Sequence, residues 1–223
     1  MKFQVTEDVS SIVLLGSLNP AIFQPSWLSA QGLIRESEAK AAKIGVVHPE
    51  LTSFRTDWLT LHVTLERFVA SAANAAHEQA LRDLVTGIFE LLVHTPTYRL
   101  GMNRTFQVQL ENESAWHGLG DYVLPKDPWH KVMKNPGLMT LFVRGDREDQ
   151  LPGQLYAKIE PILGSRDSAR IEINNDISAP ADQMSNATAY FVQTIRNEWE
   201  RLMTDARMRA EGLIQNAVPR SPS

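Results

Sequence analysis

Alternating apolar and polar side chains in residues 58–110 constrain the fold of this chain more than any other feature. The apolar rows of two stretches are Leu59, Leu61, Val63 and Leu65, and then Tyr98, Leu100, Met102, Phe106, Val108 and Leu110. Successive side chains of a β-strand point to opposite faces, so this pattern predicts strands with one face on a core. The first of these strands is predicted to span residues 57–68, and the second residues 98–110.

Two helices are predicted from apolar stripes that repeat about every 3.6 residues. Residues 72–93 carry such a stripe at Ala76, Ala80, Leu81, Leu84, Val85, Ile88, Leu91 and Leu92. This pattern is typical of an amphipathic helix packed on a sheet. A second stripe runs through residues 186–216, and a helix of about 30 residues extends roughly 45 Å. Because that length exceeds what the sheet requires, residues 205–215 are expected to project toward another copy or to fray.

Further short strands are predicted at residues 12–15, 44–47, 138–144, 154–160 and 170–177. Short polar turns join the last three, which is typical of an antiparallel meander. The fold class predicted is therefore α+β: one domain over residues 1–218, with a mostly antiparallel sheet of six or seven strands. The helices pack on one face, and the long C-terminal helix ends the domain. Residues 219–223 are expected to form a disordered tail, and no internal repeat is evident.

Composition excludes several classes of function. The formal net charge of -4 disfavours a general nucleic-acid binder, which needs a concentrated basic face. The absence of cysteine excludes disulfides, thiolate metal sites and cysteine nucleophiles. No secretory signal and no apolar stretch of about 20 residues is visible, so a cytoplasmic protein without membrane association is expected. No motif indicates a cofactor or a metal.

The predicted strands share a strongly polar second face. Its side chains are Thr60, His62, Thr64 and Glu66, then Arg99, Asn103, Thr105, Gln107 and Gln109, then Tyr156, Lys158 and Glu160, and finally Arg170, Glu172, Asn174 and Asp176. A sheet covered by helices on only one side explains this division. The polar face is then either solvated or a contact surface for a partner or a second copy.

Arg104 is unusual because it falls in the apolar row of its strand, between Met102 and Phe106. One interpretation is a β-bulge near Gly101 that turns the side chain outward. The other is a buried guanidinium, which would require a carboxylate partner because an unpaired buried charge is very costly. Bulges are frequent next to glycine, so the sequence favours the first interpretation.

Residues 111–137 lose all periodicity and contain several prolines and glycines, which predicts a long irregular loop packed by aromatic side chains. Loops of this length are usually functional or disordered. The loop contains His117 and His130 but no recognised spacing of metal ligands, so no metal site is predicted. Its basic and aromatic side chains are Trp129, His130, Lys131 and Lys134, which could stack a base or hold a phosphate.

The leading hypothesis is a non-enzymatic protein-binding or assembly module that associates with itself. Its contacts would use the polar sheet face, the 111–137 loop or the C-terminal helix, and the binding candidates are Arg99, Trp116, Trp129, His130, Lys131 and Lys134. The alternative is a small-molecule or nucleotide enzyme with its site where this loop meets the sheet. Its weak catalytic candidates are His62, Arg104, His117 and His130. A third hypothesis is single-stranded nucleic-acid binding through Trp129.

Overall fold

A single antiparallel sheet of nine strands organises the computed structural model, which describes residues 3–217. The strands are β1 Phe3–Gly16, β2 Lys43–His48, β3 Leu51–Arg55, β4 Leu59–Thr64, β5 Arg67–Ala72, β6 Thr97–Leu110, β7 Leu141–Asp146, β8 Gly153–Pro161 and β9 Ser168–Ser178. Their order across the sheet is β2-β3-β4-β5-β1-β6-β9-β8-β7. The α+β class is confirmed, but six or seven strands was wrong.

Three parts of the sheet differ from the prediction, and the first two account for the two extra strands. The predicted strand at residues 57–68 is a hairpin, since Thr64 Oγ1 accepts from the Arg67 backbone N–H at 3.1 Å and turns the chain into β5. β3 was not predicted at all. β1 begins at Phe3 rather than at residue 12. Its first half was not predicted because the register shift between Val5 and Glu7 interrupts the alternation of its side chains.

Six α-helices accompany the sheet in the described residues: α1 Pro25–Ala30, α2 Glu36–Ala41, α3 Glu78–Leu91, α4 Glu113–Val123, α5 Asp127–His130 and α6 Ala187–Asn216. Short 3-10 turns occupy Pro20–Ile22, Ala75–His77 and Ala181–Asn186. The helix predicted at residues 72–93 begins later, because Ala72 ends β5 and Asn74 Oδ1 caps a 3-10 turn through the Ala76 N–H. The prediction of a long C-terminal helix is confirmed.

Residues 111–137 do not form one irregular loop, because α4 and α5 lie within them. Asn112 starts α4 by accepting a hydrogen bond from the Ala115 N–H at 2.9 Å with its side-chain oxygen. The prediction was wrong because Gly118 and Gly120 interrupt the apolar pattern, yet both lie inside the helix. The predicted disordered tail, residues 219–223, lies outside the described residues.

The two halves of the described chain share a similar order of strands and helices. Each half begins with a strand of 14 residues, β1 or β6. Two short helices follow, and then a meander of four strands in the first half and three in the second. The last strand of each meander pairs with that first long strand, and a covering helix, α3 or α6, ends each half. The two long strands pair with each other at the centre, from Phe3 opposite Leu110 to Gly16 opposite Thr97. This repeat was missed because the topology recurs while the residues do not.

Two hydrophobic cores lie on the same face of the sheet. The larger contains α3 and the first half of α6, with Phe68 against Phe23 and Phe89 at ring distances of 5.4 and 5.0 Å. The smaller contains Leu119 of α4 and the second half of α6. Ala206, Ala210 and Ile214 of α6 are 1–2% exposed, so the expectation that this half projects or frays was wrong.

The far half of α6 is packed because the sheet is wider than predicted: strands β6 and β9 continue under it with Phe106, Val108 and Ile171. None of the helices in residues 3–217 combines the length and the apolar character needed to cross a membrane.

Candidate functional site

Arg104 lies buried between the two cores, under α6, and is held by two carboxylates. Its Nε and Nη2 donate to Asp8 Oδ1 and Oδ2, both at 2.9 Å, and Nη2 also contacts Glu78 Oε1 at 2.6 Å. Nη1 donates to the Met203 carbonyl of α6 at 3.0 Å. The preferred bulge interpretation was wrong, because the β1–β6 register is regular across Arg104.

Arg207 of α6 also donates to Asp8, so two cations face two anions in this cluster. Hydrogen bonds from Arg104 and Arg207 hold the pKa of the Asp8 carboxyl below its usual value, although burial acts in the opposite direction. The side chain of Arg104 is only 6% exposed. With its charge matched and its donors engaged, Arg104 fastens α3 and α6 to the sheet and offers no accessible group for catalysis.

A second ionic cluster fastens the turn between β7 and β8 to α6. Arg147 donates from Nε and Nη2 to the two carboxylate oxygens of Asp149, at 2.8 and 2.6 Å, and from Nη1 to Asn175 Oδ1 at 3.2 Å. Arg201 of α6 adds a hydrogen bond of 2.9 Å to Asp149. The hydrogen bonds from Arg147, against an opposing effect of burial, lower the pKa of Asp149 to about 2.

The polar rows predicted from the sequence form the face of the sheet opposite both cores. Thr60, His62, Gln109 and Arg170 are exposed there, and the buried apolar side chains of α3, α4 and α6 belong to the two cores on the other side. We call this surface the open face. His62 lies on it in β4, opposite Ser53 and Val69, far from the other candidate histidines in sheet order.

Four polar side chains of β6, β9 and β8 form what we call the acceptor patch of the open face: Asn103, Asn174, Gln154 and Asp176. Asn103 pairs with Asn174 across the strands, and Asp176 pairs with Gly101 on one side and with Gln154 on the other. The buried oxygens Asn103 Oδ1, Asn174 Oδ1 and Gln154 Oε1 accept no hydrogen bond from the described residues. Buried acceptors without donors are uncommon and costly in native proteins.

Gly101 leaves a gap in the acceptor patch. A Cβ atom built on it would lie 3.4 Å from Asn103 Oδ1 and 3.6 Å from Asn174 Oδ1, so both oxygens border the place where a side chain is missing. Arg99 contacts Asp176 Oδ1 at 3.1 Å beside the gap. Burial raises the pKa of the Asp176 carboxyl above its usual value despite the positive charge of Arg99.

Aromatic side chains continue the open face to the edge of the sheet at β7. The rings of Phe142 and Tyr156 stack at 5.2 Å with an interplanar angle of 5°. Phe142 is 62% exposed and Val143, on the other side of the same strand, is 49% exposed. We call Phe142, Val143 and Tyr156 the β7 edge surface. β2 forms the opposite edge of the sheet and exposes Ile44.

A groove of about 510 Å³ separates α4 from the ends of β8 and β9. Its lining residues are Trp116, His117, Leu119, Gly120, Lys126, His130, Asn135, Pro136, Gly137, Leu138, Ile159, Pro161 and Ala169. We call it the α4 groove. Trp116 is fixed in its wall because its Nε1 donates to the Ser168 carbonyl at 3.1 Å. The Lys126 ammonium contacts Asp121 at 2.7 Å.

The structure brings only some predicted site residues together. Trp116, His117 and His130 share the α4 groove, whereas Arg99 lies on the open face and Arg104 is buried beneath α6. Trp129, Lys131 and Lys134 are exposed in and after α5 and do not line the groove. Lys126 and the acceptor patch were not among the predicted site residues, because only the pairing of strands brings the patch together.

No cluster of three or more histidine, aspartate or glutamate side chains within residues 3–217 has the arrangement of a metal site. No protein family model and no curated protein matches the sequence of this chain.

Proposed function

We propose that this chain is a non-enzymatic protein-binding module that associates with a second copy of itself through the open face and the β7 edge surface. The observation that carries the proposal is the exposed edge strand β7 with its apolar and aromatic side chains. An edge strand presents unpaired backbone N–H and C=O groups, and natural proteins usually protect such edges with charge or cover. β7 carries the charges Arg144 and Asp146, but Phe142 and Val143 are exposed beside them.

The open face is large enough for a stable contact. Nine strands spaced about 4.8 Å apart span roughly 38 Å, and strands of six residues are about 20 Å long. The product is about 760 Å², close to the roughly 800 Å² that each partner buries in a standard interface. The charges of this face are mixed, since Arg170 lies opposite Glu160 and Lys158 lies opposite Glu172, which suits contact between identical copies.

The acceptor patch adds specificity to this contact. The three oxygens without donors are buried in the monomer, so each can accept from a partner's N–H group only once its side chain turns outward, and Asp176, which is 8% exposed, can pair with a partner's cation. The exposed arginines of the same face, such as Arg144 and Arg170, provide such donors when a second copy lies against it. Satisfying buried polar groups only in the complex favours the correct partner over others.

Light scattering coupled to size exclusion, at tens of micromolar protein, tests the proposal. Wild type is expected to run as a dimer or larger assembly, and Phe142→Asp as a monomer, because a carboxylate would replace the exposed ring. Leu91→Asp is the matched control, since Leu91 is also exposed, at 52%, but lies on α3. A monomeric wild type, or equal dissociation by both variants, would refute the proposal.

Ile44→Asp tells which edges meet in the assembly. If β7 pairs with β7, this variant remains assembled, because Ile44 lies on the opposite edge strand β2. If β2 of one copy pairs with β7 of the next, Ile44→Asp also dissociates the assembly, and wild type forms rings or filaments rather than dimers.

A second candidate function is chemistry on a small molecule or nucleotide in the α4 groove, supported by the presence of His117 and His130 in one concave site. It predicts an activity that His117→Ala or His130→Ala removes while self-association stays intact. Single-stranded nucleic-acid binding by Trp129 stays a prediction; it requires an affinity that falls steeply with salt and is lost in Trp129→Ala.

A further inference from the structure

The α4 groove exists because the two halves of the chain cover their apolar faces differently. In the first half the short helical segments close over the core, with Phe23 and Leu28 at 1% and 0% exposure. In the second half Leu119 is the one fully buried residue of α4, and a space remains between this helix, residues 135–138 and the ends of β8 and β9. Its volume of about 510 Å³ falls within the range of pockets that hold small molecules.

The groove combines an apolar interior with one sign of charge. Trp116, Leu119, Leu138, Ile159, Pro161 and Ala169 provide apolar walls. The ionisable lining residues are His117, Lys126 and His130, and no aspartate or glutamate of the described residues lines it. Groups that can carry positive charge therefore meet apolar surface in a single concave site.

Lys126 is the donor best placed to hold an anion. Its ammonium has three N–H donors, and the contact with Asp121 at 2.7 Å uses one of them. Lys126 lines the groove, and its side chain is 29% exposed. Two donors remain for a carboxylate in the groove.

We infer that the α4 groove binds a small amphipathic anion, an apolar chain or ring that carries one carboxylate. The apolar part lies against Leu119, Leu138 and Ile159, and the carboxylate accepts hydrogen bonds from Lys126, with the imidazoles of His117 and His130 nearby. This site is independent of self-association, because it lies on the helical side of the sheet and the open face lies on the other.

Isothermal titration with decanoate, below its micellar concentration, tests the inference on the full chain. Decylamine, which has the same chain and the opposite charge, is the matched control ligand. Decanoate is expected to bind at one site and decylamine to give no saturable heat. The inference would be overturned if decanoate and decylamine bound equally. It would also be overturned if neither decanoate nor an aromatic carboxylate such as 2-naphthoate bound.

Variants locate the site. Gly120 lines the groove inside α4, and a Cβ built on it meets nothing within 4 Å, so the side chain of Gly120→Leu is expected to occupy part of the groove. It should abolish decanoate binding at an unchanged melting temperature. Gly118→Ala is the control in the same helix, because its Cβ would face the Ala217 carbonyl at an ordinary 3.9 Å. Decanoate binding that survives in a folded Gly120→Leu protein would contradict the site.

The role of the Lys126 charge in binding is tested separately. Lys126→Gln should weaken decanoate about tenfold or more, since a hydrogen bond to a charged group is lost. Lys131→Gln, which removes an exposed lysine outside the groove, should leave the affinity unchanged. Equal weakening by both substitutions would indicate attraction to net charge alone and would rule out the assigned role of Lys126.

Discussion

Arg104 of β6 and Asp8 of β1 are joined by two parallel hydrogen bonds of 2.9 Å, one from Nε and one from Nη2. The pair lies where the two hydrophobic cores meet, and Glu78, Arg207 and the Met203 carbonyl complete it. A charged cluster in this position is tolerable only because every charge has a partner. It links three elements that are distant in the sequence: β1, α3 and α6.

Arg104→Ala is expected to destabilise the protein by about 3–5 kcal/mol, because it leaves Asp8 and Glu78 partly buried with too little compensating charge. Urea unfolding followed by circular dichroism measures the change. Arg166→Ala is the control: its side chain is 83% exposed, so its effect should stay within about 0.5 kcal/mol. A loss below about 1 kcal/mol for Arg104→Ala would show that the cluster matters little for stability.

Asp149 predicts a pH dependence of stability. Its pKa of about 2 in the folded protein lies below the ordinary 3.8, so its contribution is fully present above pH 3.8 and is lost as the pH falls toward 2. We expect Asp149→Asn to cost about 2 kcal/mol at pH 6, and about half of that difference to vanish by pH 3. Urea unfolding of both proteins at the two pH values measures it. A difference that does not depend on pH would contradict the prediction.

Asp176→Asn is expected to stabilise the monomer at pH 7 and to weaken self-association. Burial raises the pKa of this carboxyl in the folded protein, so its protonated form is the stabilising one and stability is lost as the pH rises through that pKa. At pH 7 the amide removes this penalty, and we expect the melting temperature to rise by roughly 2 °C.

Calorimetry at a dilution where wild type is monomeric gives the stability of Asp176→Asn, and light scattering gives its association. Asp182→Asn, an exposed carboxylate of a 3-10 turn, is the control and should change neither quantity. A lower melting temperature for Asp176→Asn would show that its ion pair with Arg99 outweighs the cost of burial.

Ile214→Ala tests the packing of the second half of α6. Ile214 is 1% exposed against the smaller core, and loss of a buried isoleucine side chain costs about 2–5 kcal/mol. Met208→Ala, at a position that is 58% exposed on the same helix, should cost less than about 0.5 kcal/mol. Thermal unfolding distinguishes them, and equal effects would mean that this half of the helix is not packed.

Periodicity predicted the elements whose two faces differ most. Leu59, Leu61 and Val63 of β4 are at most 1% exposed, as their alternation requires, and the predicted span of the last helix differs from α6 by one residue at its start. Local patterns suffice in these cases because one row of side chains meets the core and the other meets solvent.

The sequence could not predict what depends on distant partners. Asp8 lies in a stretch without alternation, and nothing local relates it to Arg104, which is 96 residues away. α4 was not predicted because Gly118 and Gly120 interrupt its apolar pattern, although both lie inside the helix. The acceptor patch and the α4 groove arise only from the pairing of β6 with β9 and from the position of α4 above β8, so residue spacing alone gives no sign of either.

The central place of β1 has a consequence for biosynthesis. Its two neighbours are β5 and β6, so this strand can pair with β5 only after residues up to Ala72 have been made, and along its whole length with β6 only after residues up to Leu110. Pairing across such sequence separations is slow, and unpaired strands expose nascent chains to aggregation. The polar side chains at the start of β1 are Gln4, Thr6, Glu7 and Asp8. They keep this unpaired segment hydrated until it joins the sheet.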